Sequence, residues 1–169
     1  GAATIRVDGI DVPVASYRVP TYLCPSEVND TLRTGDSGPE HYPLNYAYNA
    51  GPWFVYDANN QTTGEGMFTA GRPRKFRDCL DGLSNTLAFA EVKAWTPYYR
   101  DVGITGDLTM PESEPEICAL GGSFKTETGH TEWVDGRVHQ SGFTTTFTPN
   151  KKVLCEVGGI TYDVDFTNF

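Results

Sequence analysis

Four residues that lie close together in the sequence have side chains capable of nucleophilic chemistry: His130, Asp135, His139 and Ser141. A serine nucleophile needs a histidine base and a carboxylate in hydrogen-bonding order, and this arrangement is recognised by geometry, not by closeness along the chain. No G-x-S-x-G elbow presents Ser141. We therefore expect His139 and Ser141 to satisfy backbone groups, and we expect no enzymatic activity.

Metal-ligating residue types occur in the same stretch. On a strand, His130 and Glu132 would share one face, and His139 would approach them across a hairpin. Two imidazoles and one carboxylate match catalytic zinc sites in type. His41 is the only other histidine and no zinc motif is present, so the sequence favours a structural role for these residues.

Calcium needs only oxygen ligands carried on loops, and acidic residues are plentiful. Asp163 and Asp165 alternate near the C-terminus, and Asp101 and Asp107 lie in an irregular stretch. No D-x-D-x-D-G loop with a terminal Glu is present, so solvated surface carboxylates are the favoured interpretation. We predict no cofactor, with calcium as the alternative.

The four cysteines, Cys24, Cys79, Cys118 and Cys155, are the disulfide candidates. They are widely spaced and form no C-x-x-C pair, and an even count at long spacing favours disulfides in an oxidising compartment. Three pairings are open to four cysteines. We favour Cys24 with Cys79 and Cys118 with Cys155; four free buried thiols are the alternative.

Length and charge restrict the classes of function. Residues 1–169 fit a single globular domain, and the net charge is −9 with a pI of about 4.7. The one basic run, residues 72–77, is too short to make a nucleic-acid or anionic-membrane surface. Neither phosphate-binding glycine motif is present, and no apolar run approaches ~20 residues. An acidic extracytoplasmic domain is expected.

The elements that must position these residues are mostly strands and turns. Nine Tyr, nine Phe and three Trp, with 18 Gly and 11 Pro, favour strands and structured loops over a helical bundle. Three pairs, Asp8-Gly9, Asp135-Gly136 and Gly158-Gly159, separate β-rich runs and predict hairpins.

Two longer segments are also strand candidates. Residues 44–55 contain Asn45 and Asn49, whose side chains we expect to hold the local backbone. Residues 87–95 permit a strand by alternation, and a helix is the competing interpretation. Residues 96–117 are predicted to be the least regular part of the chain, because Pro and Gly punctuate them.

Four segments together resemble one protein family. They are Cys24-Pro25-Ser26; Asn45-Tyr46-Ala47-Tyr48-Asn49-Ala50-Gly51; Asp81-Gly82-Leu83-Ser84-Asn85-Thr86 followed by Glu91; and residues 130–150, H-x-x-W-x-D-G-x-V-H-x-x-G-F-T-T-x-F-x-P-N. In this order they are similar to DUF1559, a family of bacterial proteins abundant in planctomycetes and made with a prepilin-type N-terminal segment. Leu83 departs from the family, which usually has a small residue or Thr there.

The resemblance implies an α+β, mostly β fold: the antiparallel-sheet head of a pilin-like or pseudopilin-like protein. The family's cleavage and methylation motif and long N-terminal helix are not in this sequence, so we expect a mature or truncated portion. The preference for a strand at residues 87–95 rests mainly on the same resemblance.

The implied function is that of a non-enzymatic structural protein at the cell surface, in the periplasm or secreted. It would be the head of a subunit of a surface filament or secretion apparatus. Its partners would be copies of itself or other pilin-like subunits, bound through the absent helix, which would also be the only membrane contact. A surface adhesion target is a further expected partner.

The alternative function is an extracellular carbohydrate- or solute-binding module. Its motivation is a set of aromatic residues that could stack on a ligand: Tyr46, Tyr48, Trp53, Trp95 and Trp133.

Overall fold

The structure is a computed structural model, and it describes residues 3–57, 59–100 and 109–165. Within these residues the strands form six small sheets, five of two strands and one of three. Helix is confined to short segments. The prediction of an α+β, mostly β fold is confirmed.

Two of the three predicted hairpins are present. Strands β1 (Thr4–Val7) and β2 (Ile10–Pro13) are joined by Asp8 and Gly9, whose φ angles are 50° and 84°. Strands β12 (Leu154–Val157) and β13 (Ile160–Asp163) are joined by Gly158 and Gly159, at 61° and 81°. Positive φ at both central residues gives the turn that matches the twist of antiparallel strands.

The hairpin predicted at Asp135-Gly136 is wrong. The turn leads into helix α2 (Val138–Ser141) instead of a strand. The Asp135 carboxylate accepts the Arg137 backbone N–H at 2.9 Å, and the Ser141 hydroxyl donates to the Asp135 carbonyl at 2.7 Å. Because side-chain bonds of this kind offer the backbone an alternative to a sheet ladder, the chain folds into a helical turn here.

One of the six sheets has three strands. Strand β5 (Tyr46–Asn49) pairs antiparallel with β8 (Phe89–Glu91) and parallel with the short β11 (Gly142–Phe143). Strands in residues 44–55 and 87–95 are thus confirmed. Asn49 holds this sheet as predicted, since its amide donates to the Leu87 carbonyl at 2.9 Å.

The irregular region is more ordered at its ends than expected. Strand β9 (Thr96–Arg100) pairs with β10 (Ser123–Gly129), and α1 (Glu114–Cys118) follows Ser113. Tyr98 is buried and Tyr99 packs against Phe124, so packing overrides the weak local preference. Residues 101–108 lie outside the described residues.

The other strands form two short hairpins, and three 3₁₀ turns connect elements. The hairpins are β3 (Arg33–Gly35) with β4 (Gly38–His41), and β6 (Tyr56–Asp57) with β7 (Thr62–Thr63); the turns are Val14–Ser16, Pro20–Tyr22 and Phe76–Asp78. No helix in the described residues is both long enough and apolar enough to cross a membrane.

The main core joins the C-terminal hairpin to α1. It consists of Trp53, Ile117, Val153, Cys155 and Val164, packed against partly buried aromatics. A second, smaller cluster of Ala50, Val55 and Val138 is packed against Tyr48 and Tyr56.

One of the two favoured disulfides is formed. Cys118 and Cys155 are bonded, with their Cα atoms 5.4 Å apart, and this bond attaches α1 to β12. The pairing of Cys24 with Cys79 is not formed. The Cys24 sulfur lies 3.0 Å from the Ser26 hydroxyl and the Cys79 sulfur 3.4 Å from the Met67 sulfur, so each thiol has its own neighbour.

Candidate functional site

The His130 backbone is held in a positive-φ turn by its neighbours. His130 has φ 55°, and its N–H donates to the His139 carbonyl at 3.1 Å. The buried Gln140 amide bridges the same turn: it donates to the Thr128 carbonyl at 2.8 Å and accepts the Thr131 N–H at 2.9 Å. These bonds offset the strain of a left-handed residue.

The His130 ring connects this turn to the C-terminal segment. Its Nδ1 lies 2.9 Å from the Gln140 carbonyl oxygen, and its Nε2 lies 3.0 Å from a carboxylate oxygen of Asp165. Each ring nitrogen thus has a polar partner within hydrogen-bonding distance. His130 is therefore a buried cross-link.

His139 is fully buried and stacks on Tyr98, with ring centroids 4.7 Å apart and planes 16° apart. Burial is the largest cause that lowers its pKa, from 6.5 to about 4, and the nearby positive charge of Arg137 acts in the same direction. The ring is thus neutral at pH 7.

The four residues considered for catalysis do not form a triad. The Ser141 hydroxyl donates to a backbone carbonyl, as predicted, and the His130 ring faces Asp165. The Asp135 carboxylate is bound by Arg137 through both its backbone and its guanidinium. The sequence brings these side chains near each other, but each has a structural partner.

The ligand sets considered for metals are also dispersed. Glu132 binds Arg33 at 2.6 Å, and Asp163 accepts the Val153 N–H at 3.1 Å. Asp101 and Asp107 lie outside the described residues. Among those that are described, no three or more His, Cys, Asp or Glu side chains are grouped so as to hold a metal ion.

One concave surface in the described residues is a cleft of about 1300 Å³, which we call the 67–76 cleft. One wall is the segment 67–76, and the other is formed by Tyr48, residues 55–57 and residues 135–138. The Tyr48 hydroxyl donates to the Gly136 carbonyl at 2.8 Å, which joins β5 to the turn before α2.

Aromatic and apolar side chains cover most of the cleft. The Phe68 ring lies between those of Tyr48 and Phe89, with centroid distances of 5.7 and 5.1 Å and tilted planes. Phe68 is 39% exposed and Phe76 is 79% exposed, so both present ring surface to solvent. Such faces can pack on an apolar or planar ligand.

Glycine backbones support the cleft from behind. Gly51 has φ 114°, and a Cβ built on Gly66 would lie 2.3 Å from the Ala50 carbonyl oxygen. A Cβ on Gly64 would lie 1.8 Å from the Phe54 carbonyl oxygen. The segment that leads into residues 67–76 can approach the connection between β5 and β6 this closely only because it lacks side chains at Gly64 and Gly66.

The front wall has local restraints of its own. The Thr69 hydroxyl donates to the Arg72 carbonyl at 3.1 Å around Gly71, which has φ 69°. The Lys75 N–H donates to the Asp78 carboxylate at 2.8 Å at the start of the 3₁₀ turn. The basic side chains between these two restraints are thereby placed on the cleft.

The acidic groups of the cleft have hydrogen-bond partners, whereas three of its basic groups have no ion-pair partner among the described residues. Asp57 accepts hydrogen bonds from Asn60 and Asn59, and its pKa is lowered by the Asn60 side chain above all. Burial alone would raise the pKa of Asp135, but hydrogen bonds from Arg137 outweigh burial and lower it. Arg72, Arg74 and Lys75 also line the cleft, and none forms an ion pair with a described residue.

The aromatic residues proposed from the sequence as ligand platforms are scattered. Only Tyr48 lines the 67–76 cleft. Trp53 is buried in the core at 3% exposure. The indole N–H groups of Trp95 and Trp133 donate to the carbonyls of Asn29 and Tyr17.

Sequence reasoning missed Tyr56, Phe68 and Phe76, as well as the role of the basic run. A signal was present, because residues 72–77 are the one basic run of an acidic chain and lie among aromatic residues. Placing them opposite Tyr48 required the tertiary structure.

Comparison with known proteins identifies a family. The family model described as "Protein of unknown function (DUF1559)" matches residues 3–165. No curated protein matches the chain, and neither does any solved structure. Since the match covers nearly the whole chain, the protein belongs to the DUF1559 family.

Proposed function

We propose that this domain is the globular head of a pilin-like or pseudopilin-like subunit, a non-enzymatic structural protein outside the cytoplasm. The observation that carries this proposal is membership of DUF1559 over residues 3–165, because the family resemblance implies a prepilin-type precursor. The disulfide between Cys118 and Cys155 supports an oxidising compartment.

The proposed mechanism is assembly. A hydrophobic helix preceding this domain would anchor the precursor in the membrane and then pack against the helices of other subunits. The head, held by its disulfide and short hairpins, would remain exposed and contact an adhesion target.

The test is electron microscopy of the full-length precursor, processed under assembly-competent conditions, with this chain alone as the matched control. We expect filaments from the precursor and dispersed particles from the control. A processed precursor that stays monomeric at every concentration would contradict the proposal.

The 67–76 cleft favours a second candidate function, an extracytoplasmic binding module. Its concave shape and its aromatic wall are typical of a ligand site more than of a plain structural surface. Calorimetric titration against carbohydrates and small solutes tests this candidate, with Phe68→Ala as the cleft variant and Leu83→Ala as an exposed control that does not line the cleft. A flat response from the whole panel would remove it.

A further inference from the structure

The distribution of charge singles out the 67–76 cleft. Residues 72–77 carry four cations and no acid, whereas the other nine Lys and Arg residues are accompanied by all 22 Asp and Glu residues. Like charges held together repel one another unless an anion lies near them. A cationic site on so acidic a chain therefore calls for an explanation.

The two acidic residues that line the cleft form no ion pair with Arg72, Arg74 or Lys75. Asp57 and Asp135 are the acidic residues that line the cleft. Asp57 is engaged by Asn59 and Asn60, and Asp135 is engaged by Arg137. The positive charge of Arg72, Arg74 and Lys75 is left for a ligand.

Arg74 provides the most specific observation. Its Nε is buried from solvent and has no hydrogen-bond partner within the described part of the chain. A buried donor without an acceptor is costly, more so when it is charged. An anionic oxygen in the cleft would supply the missing acceptor, and Arg binds carboxylate, sulfate and phosphate oxygens with good geometry.

The remainder of the cleft is suited to an apolar body. Tyr56, Phe68 and Val138 line it beside these cations. The volume of about 1300 Å³ exceeds the range of roughly 300–1,000 Å³ that is ordinary for small-molecule pockets. A bare inorganic anion would leave the aromatic wall in water, so the ligand has a bulky apolar part.

We infer that the 67–76 cleft is a binding site for amphipathic organic anions. The carboxylate, sulfate or phosphate group contacts Arg72, Arg74 and Lys75, and an aromatic or acyl body packs on Phe68 and Tyr56. This inference rests on the second candidate function, the binding module, and is independent of filament assembly.

The test uses two fluorescent probes of similar shape. 8-Anilinonaphthalene-1-sulfonate carries an aromatic body and a sulfonate, and N-phenyl-1-naphthylamine has the same body without the charge. We expect saturable binding of the sulfonate. Arg74→Gln should weaken its affinity about tenfold or more, since a hydrogen bond to a charged group contributes that much to binding. Phe68→Ala should weaken both probes, and Arg74→Gln should leave the neutral probe unaffected.

The matched control is Arg6→Gln. Arg6 is an exposed arginine on β1 that faces Asp11 at 3.7 Å and does not line the cleft. The Arg6→Gln substitution removes the same charge as Arg74→Gln and should leave the affinities for both probes unchanged. A thermal melt of each variant ensures that the probes report on folded protein.

Three outcomes would overturn the inference. None of them bears on filament assembly, which is tested separately by electron microscopy. Equal affinity for the two probes, unaffected by Arg74→Gln, would show an apolar site and reject only the anionic class. Absence of saturable binding would reject the site. A dimer by light scattering that dissociates in Arg74→Gln would show that a second copy of this chain occupies the cleft.

Discussion

The protonation of a buried histidine in this fold differs from its behaviour in water. His139 is completely inaccessible and stacks on Tyr98. The charged groups around it are Arg137, Asp135, His130 and Arg100, with Asp135 alone favouring protonation. Burial dominates, so the folded state binds a proton at His139 far less readily than the unfolded state does.

This difference predicts a pH dependence of stability. The unfolded state takes up a proton near pH 6.5, whereas folded His139 does so at about 4, so the free energy of unfolding falls as pH is lowered between these values. The loss from this residue between pH 7 and pH 5 is about 2 kcal/mol. Urea unfolding at both pH values, compared between the wild type and His139→Phe, measures it. Equal losses in the two proteins would contradict the prediction.

Gly66, whose backbone packs closely against that of Ala50 and Gly51, should not tolerate a side chain. Gly66→Ala places a methyl group against the Ala50 carbonyl and the Gly51 N–H, which belong to backbone and cannot rotate away. We expect the free energy of unfolding to fall by about 1–3 kcal/mol, as in other overpacked sites.

Gly136→Ala is the control for this substitution. No atom lies within 4 Å of a Cβ built there, and its φ is not among the positive values. We expect a change within about 0.5 kcal/mol in urea unfolding. Similar losses in the two variants would show that close backbone approach is not the cause.

At the scale of elements, a single disulfide attaches α1 to the C-terminal hairpin. Cys118 and Cys155 are 37 positions apart, so the bond closes a long loop in the unfolded chain. Restricting a loop of this length lowers the entropy of the unfolded state and stabilises the fold by about 4 kcal/mol.

The double variant Cys118→Ala/Cys155→Ala should therefore lose about 4 kcal/mol of unfolding free energy in urea. The matched control, Cys24→Ala/Cys79→Ala, removes the two free thiols and should lose much less. The intact mass of the native chain should lie about 2 Da below that of the reduced chain. A difference of about 4 Da would show that the second disulfide, which the cysteine count alone favours, is also formed.

The hairpins show how far local chemistry predicts elements. Asp8-Gly9 and Gly158-Gly159 form hairpins because both residues of each pair adopt positive φ. The residues on either side then pair as antiparallel strands. Asp135-Gly136 has the same local signal but not the same structure. There the Asp135 carboxylate binds the Arg137 backbone, and Val138 is drawn into the small apolar cluster with Ala50 and Val55.

At the scale of the whole molecule, a buried polar network connects segments far apart in sequence. The Asn45 side chain accepts the Cys24 N–H at 3.1 Å and donates to the Val92 carbonyl at 2.9 Å and the Glu27 carboxylate at 2.6 Å. The same carboxylate accepts the Ala94 N–H at 3.0 Å. The predicted role of Asn45 in holding backbone is confirmed, with partners that only the fold supplies.

Asn45→Ala should accordingly destabilise the whole domain. It leaves the Cys24 N–H and the Val92 carbonyl without their partner and removes a donor from Glu27, and each buried unsatisfied group costs about 1–3 kcal/mol. We expect a loss of about 3 kcal/mol or more in urea unfolding. Asn85→Ala, which removes one exposed local bond to Asp81, is the control and should cost less than about 1 kcal/mol. Comparable losses would mean that the network does not connect the segments cooperatively.

The sequence by itself determined the family, the mostly β character, two hairpin turns and the acidic charge, because each depends on residue identity or on neighbours within a few positions. Only the tertiary structure decided which cysteines meet, that His130 faces Asp165, and that Phe68 and Arg74 line a cleft opposite Tyr48. These features join segments tens of residues apart. Such contacts follow from the packing of the whole chain, which no local pattern encodes.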